Sequence, residues 1–276
     1  MKKCNIGVIG LGRLGYQHAL NVTKTTGAVL AAVADGFPAA LERAVNDFDV
    51  KGYADYKEMI VSPDIDAIVV ATPTQTHFPI LMDCIATGKP IYFHDCQRDP
   101  NGPPPAYVPQ SGGLFVDMAI HDLDVARWMM GSEITELYAT GAVLKHEYLK
   151  ELNDIDDGQI LLKFENGAIG MIEISRNANN VHDTRTEVIG LEKSVFTGQE
   201  QMTPYKVIGD EEITYDMSNW CLGRFKDAYL DEMEAFVSNV LNGKPSEVTA
   251  YDGKMGIKLA LAATESFRTG KWVKIQ

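Results

Sequence analysis

The sequence has few cysteines, little positive charge and no long apolar run, and each shortage excludes a class of protein. No stretch approaches 18 uninterrupted apolar residues, so we expect no membrane-spanning helix. The four cysteines include no CxxC pair and form neither a zinc framework nor a secreted disulfide scaffold. The net charge of −13 repels phosphate backbones and anionic membranes. We therefore expect a cytoplasmic protein that binds no metal, no nucleic acid and no membrane.

What the sequence does contain is a clear change of pattern along the chain. With 276 residues, 45% of them hydrophobic, it is long enough for two domains. In the first 93 residues, short apolar runs alternate with helical segments, which is typical of βαβ units and a parallel sheet. The pattern predicts strands at 5–9, 29–34, 67–70 and 90–93, and helices at 13–23, 37–48, 56–61 and 78–86.

A stretch rich in proline and glycine, at 94–113, separates this part from the next. A helix is predicted at 114–130, and from about residue 133 apolar and polar residues alternate as they do in antiparallel strands. Asn166-Gly167, between two such runs, indicates a tight hairpin. Two more helices are predicted, at 226–241 and 253–268.

The turn from Gly10 to Gly15 has the GxGxxG spacing of a dinucleotide-binding loop, between an apolar strand and an amphipathic helix. Gly10 permits the tight turn, Gly12 lets a pyrophosphate approach the backbone, and Gly15 lets helix and strand pack closely. Arg13 and Leu14 begin the helix whose N-terminus attracts the phosphates. The alternative is a structural βα turn that binds nothing.

Asp35 ends the second predicted strand, 20 positions after Gly15. A carboxylate there accepts hydrogen bonds from the adenosine ribose hydroxyls and repels a 2′-phosphate. Neither Gly36 nor Phe37 supplies an arginine that would neutralise such a phosphate. The expected cofactor is therefore NAD rather than NADP.

A second segment, 71–77, follows the buried strand predicted at 67–70. It lies at the carboxyl end of a parallel strand, where open sheets bind ligands. Thr76 as an N-cap and Pro79 in the first turn also fit an ordinary helix start. One backbone segment can serve both roles.

Asp117 and His121 stand four residues apart in the helix predicted at 114–130, so they project from one face. An imidazole oriented by a carboxylate is suited to take the proton from an alcohol while hydride leaves the carbon. The alternative is a solvated surface pair, which the flanking Asp122 and Asp124 fit equally well.

Over residues 1–93, and again from about 98 to the end, the chain resembles the Gfo/Idh/MocA oxidoreductases, in particular their inositol 2-dehydrogenase-like members. The resemblance rests on the glycine turn, Asp35, the segment 72–77, Arg98-Asp99-Pro100, the segment 111–124 (Ser-Gly-Gly-x-Phe-x-Asp-Met-x-Ile-His-Asp-x-Asp), and matching positions within 182–190 and 224–236. Together these motifs cover nearly the whole chain.

The resemblance implies an NAD-dependent oxidation of a ring secondary alcohol of a cyclitol or sugar. It implies that Asp117 and His121 are the catalytic pair. It also implies that the cofactor is bound by Thr72, Pro73 and His77. The polyol is bound, by the same resemblance, by Asp99 and Arg185.

Pattern and resemblance together predict an α/β protein of two domains. Residues 1–93 form a Rossmann-type NAD-binding domain, a doubly wound parallel sheet shortened at its end. Residues 94–276 form an α+β domain for substrate binding and oligomerisation, with an open, mainly antiparallel sheet. One sheet face covers helices; the other carries Leu161, Ile169 and Met171 in one register and faces a partner subunit, so a homodimer or homotetramer is expected.

After Phe93 the sequence departs from the family. Family members continue with a Glu-Lys-Pro triplet, whose lysine binds and polarises the reacting hydroxyl, whereas here residues 94–97 lead directly to the 98–100 motif. Roughly sixty residues are absent relative to the family, and no lysine stands between Lys89 and Lys145. A true deletion, a misjoined gene model and an omitted segment each account for this. The absent lysine supports an alternative function, a non-catalytic dinucleotide- or sugar-binding protein.

Overall fold

A computed structural model describes residues 3–93, 102–177, 184–190, 192–197, 207–208, 213–214 and 221–276. The chain divides into two compact units: the first is Met1–Asp95 with Phe225–Glu247, and the second is Cys96–Arg224 with Val248–Gln276. The sequence-based division took all of 94–276 as one domain, whereas the structure assigns Phe225–Glu247 to the first unit. Among the described residues, no helix is long and apolar enough to cross a membrane.

The first unit is built on a five-stranded parallel sheet with the order β3-β2-β1-β4-β5. The neighbours β1 and β4 form the point where the strand order reverses, and ligands bind at such points in open α/β sheets. The predicted doubly wound sheet is confirmed, although the short β3 escaped prediction. Its elements are β1 (Cys4–Ile9), α1 (Arg13–Lys24), β2 (Ala28–Ala34), α2 (Pro38–Phe48), β3 (Lys51–Tyr53), α3 (Tyr56–Ile60), β4 (Ala67–Val70), α4 (Thr74–Ala86) and β5 (Ile91–Phe93).

The rest of the chain forms an antiparallel sheet with helices, two small strand pairs and one helix that belongs to the first unit. The elements are α5 (Val108–Ser111), a π-helical turn (Phe115–Ala119), α6 (Ile120–Met130), β6 (Ile134–Ala142), α7 (Tyr148–Glu151), β7 (Asp157–Phe164), β8 (Ile169–Ser175), β9 (Thr186–Ile189), β10 (Ser194–Thr197), β11 (Val207–Ile208), β12 (Ile213–Thr214), α8 (Cys221–Arg224), α9 (Lys226–Asn242), α10 (Ala250–Thr269) and β13 (Val273–Lys274). The predicted α+β domain with a mainly antiparallel sheet is confirmed.

The helix α9 completes the core of the first unit. Its buried Met233 and Val237 pack in one apolar cluster with Val8 of β1 and Val22 of α1. Burying an aliphatic side chain contributes about 1.5–3 kcal/mol, so this packing stabilises the returning segment against the sheet.

The four-stranded sheet of the second unit has the order β13-β6-β7-β8 and packs one face against α6 and α10. Side chains of β7 and β8 alternate between the two faces. The opposite face carries Leu161, Ile169 and Met171, which are 42%, 80% and 63% exposed. The predicted register is therefore confirmed, as is the hairpin, where Gly167 has a φ of +86° that suits glycine.

Two local predictions need correction. The helix α4 begins at Thr74 with Pro73 as its N-cap, so the assignment of Thr76 as the N-cap and of Pro79 to the first turn is wrong. The hydroxyl of Thr76 instead donates to the Pro73 carbonyl (2.7 Å). The helix predicted at 114–130 starts with a π-helical turn, and its α-helical part is Ile120–Met130. A π-helical turn contains one more residue than an α-helical turn, and the 3.6-residue pattern used to predict helices does not distinguish the two.

Candidate active site

The glycine turn closes tightly everywhere except at Gly12. Gly10 has a φ of +88°, and a Cβ there would lie 2.6 Å from the Ala71 carbonyl oxygen. A Cβ on Gly15 would lie 1.9 Å from the Gly10 carbonyl oxygen. A Cβ on Gly12 would meet nothing within 4 Å. The turn thus packs against its own helix and strand while leaving open space at the start of α1, which fits a bound pyrophosphate.

The carboxylate of Asp35 joins this turn to the end of β2. Its two oxygens accept hydrogen bonds from the backbone N–H groups of Leu11 (2.6 Å) and Phe37 (2.7 Å). Charge-assisted bonds of this kind are strong and hold the carboxylate in one orientation. The acid is therefore fixed beside the glycine turn, as the ribose interaction predicted from the sequence requires.

The segment after β4 lies against the same turn. A Cβ on Gly10 would come within 2.8 Å of the Thr72 methyl group. The ring of His77 is buried, and its Nε2 lies 2.5 Å from the Thr72 carbonyl oxygen. The Thr72 hydroxyl is buried with no hydrogen-bond partner among the described residues. The structure thus places Thr72 next to the glycine turn and His77 next to Thr72, with Pro73 exposed between them. Arg13 is exposed at the first position of α1, and Leu14 follows half-buried.

In the second unit, Asp117 lies in the π-helical turn and both its oxygens accept hydrogen bonds. The Tyr107 hydroxyl donates to Oδ1 (2.8 Å), and the Arg176 guanidinium donates to Oδ2 (2.7 Å). The Arg176 side chain is 2% exposed and that of Asp117 is 11% exposed. The other terminal nitrogen of the Arg176 guanidinium donates to Asp154 (2.9 Å). Asp117 is thus a nearly buried carboxylate paired with a buried cation.

His121 is the second residue of α6, four positions after Asp117, and is half-buried. Arg185 is exposed immediately before β9. Asp99 lies outside the described residues, as do His182 and Asp183 of the family motif. The described residues include no group of three or more histidines, cysteines or acids that could hold a metal ion.

A buried acid orders the loop beside this site. Burial by itself raises the pKa of Asp156, but hydrogen bonds from the backbone N–H groups of Leu144, His146 and Lys145 outweigh it, so its pKa lies below its usual range. These bonds measure 2.7–2.8 Å. The Asp156 carbonyl in turn accepts the backbone N–H of Arg176 (2.8 Å). The loop and the end of β8 are therefore fixed together.

Sequence reasoning missed Arg176, Tyr107 and Asp154. A signal for Arg176 was present, since it continues the inward positions of β8 after Ile172 and Ile174, all three of which are buried. An arginine at an inward strand position requires buried anionic partners. The local sequence does not identify those acids, because Arg176 bonds to Asp154 and Asp117, which lie 22 and 59 positions away in the chain.

A parallel sheet with a glycine turn and an acid at the end of β2, followed by an antiparallel domain with an acid and a histidine four residues apart, defines a two-domain, NAD-dependent oxidoreductase. The chain belongs to the Gfo/Idh/MocA oxidoreductase family. Residues 4–94 match the description "Oxidoreductase family, NAD-binding Rossmann fold". Residues 84–275 match "Oxidoreductase family, C-terminal alpha/beta domain".

Several relatives resemble the chain over nearly its full length. It is 30% identical to "scyllo-inositol 2-dehydrogenase (NAD(+))" of Bacillus subtilis, over 97% of this chain and 95% of that protein. It is 32% identical to "Myo-inositol 2-dehydrogenase" of Thermotoga maritima, over 98% of both. The crystal structure of scyllo-inositol dehydrogenase from Lactobacillus casei with bound NAD(H) and scyllo-inositol matches with a TM-score of 0.87, at 27% identity over 99% of each chain.

The alignments also bear on the predicted absent segment. The alignment with the Bacillus subtilis protein runs over 325 positions, which exceeds the 276 residues of this chain by 49. At least 49 positions of that alignment therefore have no counterpart here. The placement of the gap after Phe93 stays a prediction.

Proposed function

We propose that the protein is an NAD-dependent dehydrogenase that oxidises a ring secondary alcohol of a cyclitol or sugar to the ketone. The observation that carries the proposal is the nearly buried Asp117, held at both oxygens four residues before His121. The named activities of the relatives support the same substrate class.

In the proposed reaction, His121 takes the hydroxyl proton as the C–O bond becomes a carbonyl. Asp117 orients the imidazole and stabilises the imidazolium that forms. NAD, when bound, supplies the hydride acceptor. The residues that would hold it are those of the glycine turn, with Asp35 at the ribose and Thr72, Pro73 and His77 in the segment after β4. Asp99 and Arg185 are proposed to bind the polyol.

The alternative, a non-catalytic binding protein, rests on the absent Glu-Lys-Pro lysine. Relatives matched along the whole chain carry dehydrogenase names, which favours catalysis. The deciding experiment is a dehydrogenase assay over a panel of cyclitols and sugars, with the intact mass of the same sample. Turnover by a chain of 30.4 kDa supports the proposal. No turnover and no NADH binding at millimolar concentration would remove it, and a mass several kilodaltons larger would reveal an omitted segment.

Replacing Asp35 with serine is expected to narrow or invert the preference for NAD over NADP. The serine loses a charged acceptor for the ribose hydroxyls and no longer repels a 2′-phosphate. A hydrogen bond to a charged group contributes roughly 1.5–3 kcal/mol, so NAD affinity should fall about ten- to hundredfold. The measurement is the dissociation constant of each reduced cofactor by fluorescence titration.

The matched control is Asp66→Ser. Asp66 also accepts a backbone N–H with its carboxylate, that of Asn5 (2.8 Å), but at the amino ends of β1 and β4. The Asp66→Ser substitution should leave the ratio of the NAD and NADP affinities unchanged. An unchanged ratio in Asp35→Ser would show that this acid does not meet the ribose.

The protein is also proposed to form a homodimer or homotetramer through the open face of the second unit's sheet. Leu161, Ile169 and Met171 expose apolar surface on this face, and contiguous exposed apolar patches mark interaction sites. Light scattering at micromolar concentration should give at least twice the chain mass, and Met171→Glu should lower it. A monomeric wild-type protein would contradict this.

A further inference from the structure

Arg176 is a buried cation with no role in the reaction as proposed so far. It follows β8, its side chain is 2% exposed, and it bridges Asp117 (2.7 Å) and Asp154 (2.9 Å). A buried charge is costly unless it is paired and hydrogen-bonded, and two carboxylates meet that need. One arginine therefore fixes two acids from different parts of the chain.

Asp154 connects the arginine to the backbone that carries Asp117. Its Oδ1 accepts the N–H of Leu114 (2.9 Å), one residue before the π-helical turn. A Cβ on Gly113 would lie 2.9 Å from that same oxygen, and Gly113 has a φ of +87°. The glycine thus permits the close approach. Asp154 therefore fixes the start of the π-helical turn. Arg176 fixes both Asp154 and Asp117, which lies within that turn.

Several described groups contribute to the electrostatic surroundings of Asp117. Tyr107 and Arg176 bond to it directly, and Asp154 shares the arginine. Around Arg176 and Asp154 lie Asp156 and Tyr148, and burial raises the pKa of that tyrosine, which favours its neutral form. The helical segment that carries Asp117 also holds the titratable residues His121, Asp122, Asp124 and Arg127. From α10 this core receives Leu259, Ala260, Ala262, Ala263 and Phe267, and the buried Ser266 of the same helix is polar but does not titrate.

We infer that Arg176 is a positioning residue for the proposed dehydrogenase: it fixes the Asp117 carboxylate in one orientation and keeps it negatively charged. The inference rests on the proposed function, because the role of Asp117 is to orient His121. A carboxylate held at both oxygens cannot rotate freely, so its orientation is set before substrate binds. Preorganisation of this kind accounts for large rate factors in enzymes.

The effect of removing the cation has a definite sign. In the proposed reaction, the acid–histidine pair is active with Asp117 charged and His121 neutral. Without the positive charge of Arg176, adding a proton to either member becomes easier. The acid limb of the kcat/KM profile should therefore move to higher pH in Arg176→Met, by roughly one to three pH units.

Three variants and one control test the inference. Arg176→Met should show the displaced acid limb and a kcat lower by about a hundredfold at pH 7. Arg176→Lys keeps the charge but not the two-armed geometry, so its acid limb should stay in place while kcat falls about tenfold at unchanged KM. Tyr107→Phe removes a neutral donor and should move the acid limb in the same direction by less.

The matched control is Arg127→Met. Arg127 is also buried in the second unit and pairs with Glu133 (2.6 Å), Asp124 and Asp252. It should lose stability comparably without moving the acid limb. An unmoved acid limb in Arg176→Met, or an equal movement in Arg127→Met, overturns the inference. If Arg176→Met does not fold, a wild-type kcat in Arg176→Lys or an unmoved acid limb in Tyr107→Phe overturns it.

A readout that needs no turnover separates this inference from the proposed function. Imidazole titration by NMR, with His121 assigned from His121→Gln, should show first proton uptake by the pair at higher pH in Arg176→Met than in wild type. Equal midpoints would overturn the positioning role. A wild-type protein that oxidises no cyclitol or sugar would overturn the proposed function alone.

Discussion

His121→Gln is expected to lower kcat for the oxidised polyol by about 10²–10⁴-fold, the usual contribution of a general acid–base group. Glutamine keeps hydrogen-bonding capacity and similar volume but cannot take up the proton. Binding of NADH should be unchanged, because the glycine turn belongs to the other unit. The measurements are steady-state kinetics and a cofactor titration on the same preparation.

His146→Gln is the control for this substitution. His146 is half-buried in the same unit, and its Nε2 is buried without a hydrogen-bond partner among the described residues. It should keep kcat within about threefold of wild type, as for a residue without a role in proton transfer. If His121→Gln behaved like this control, the proton would be taken by another group and the assignment of the pair would be wrong.

The second large effect is expected from two alanine substitutions in the glycine turn that act on different properties. Gly15→Ala places a methyl group 1.9 Å from the Gly10 carbonyl oxygen, where backbone must move. We expect a loss of about 3 kcal/mol or more in the free energy of unfolding, or roughly 10 °C in melting temperature. Gly12→Ala meets open space and has a φ of −61°, so it should change stability by less than about 1 kcal/mol.

Gly15→Ala and Gly12→Ala should also differ in their effect on cofactor affinity. The methyl group of Gly12→Ala occupies the space left open for the pyrophosphate, so the affinities for NADH and NADPH should fall together, about tenfold or more. Calorimetry and fluorescence titration measure the two properties. A stable Gly12→Ala protein with wild-type affinity for both cofactors would show that the dinucleotide does not approach the backbone there.

Local patterns predicted much of this structure. The GxGxxG spacing and Asp35 predicted the dinucleotide-binding turn. The close packing of Gly15 against the Gly10 carbonyl is local, whereas Gly10 itself packs against Ala71, about sixty positions away. The alternation along β7 and β8 gave the register, because side chains on a strand change face at every residue. The family resemblance, carried by motifs along the whole chain, pointed to Asp117 and His121.

Other features depend on contacts that local pattern does not contain. The return of α9 to the first unit depends on Met233 and Val237 meeting residues more than 200 positions earlier. The π-helical turn at Phe115–Ala119 looks like ordinary helix to a periodicity argument. The start of α4 at Thr74 was missed because Pro73, at the N-cap position, makes no side-chain cap bond, whereas Thr76 has the side chain of an ordinary N-cap.

The sequence by itself determined the class of fold, the glycine turn and the exposed face of the second sheet, because turn formation and the alternation of side chains depend mainly on neighbouring residues. Only the tertiary structure decided what holds Asp117. Tyr107 and Arg176 reach it across 10 and 59 positions, and Asp154 reaches Arg176 across 22. A buried arginine requires acids nearby, but the fold chooses which ones, because burial and pairing exist only once distant segments have packed together.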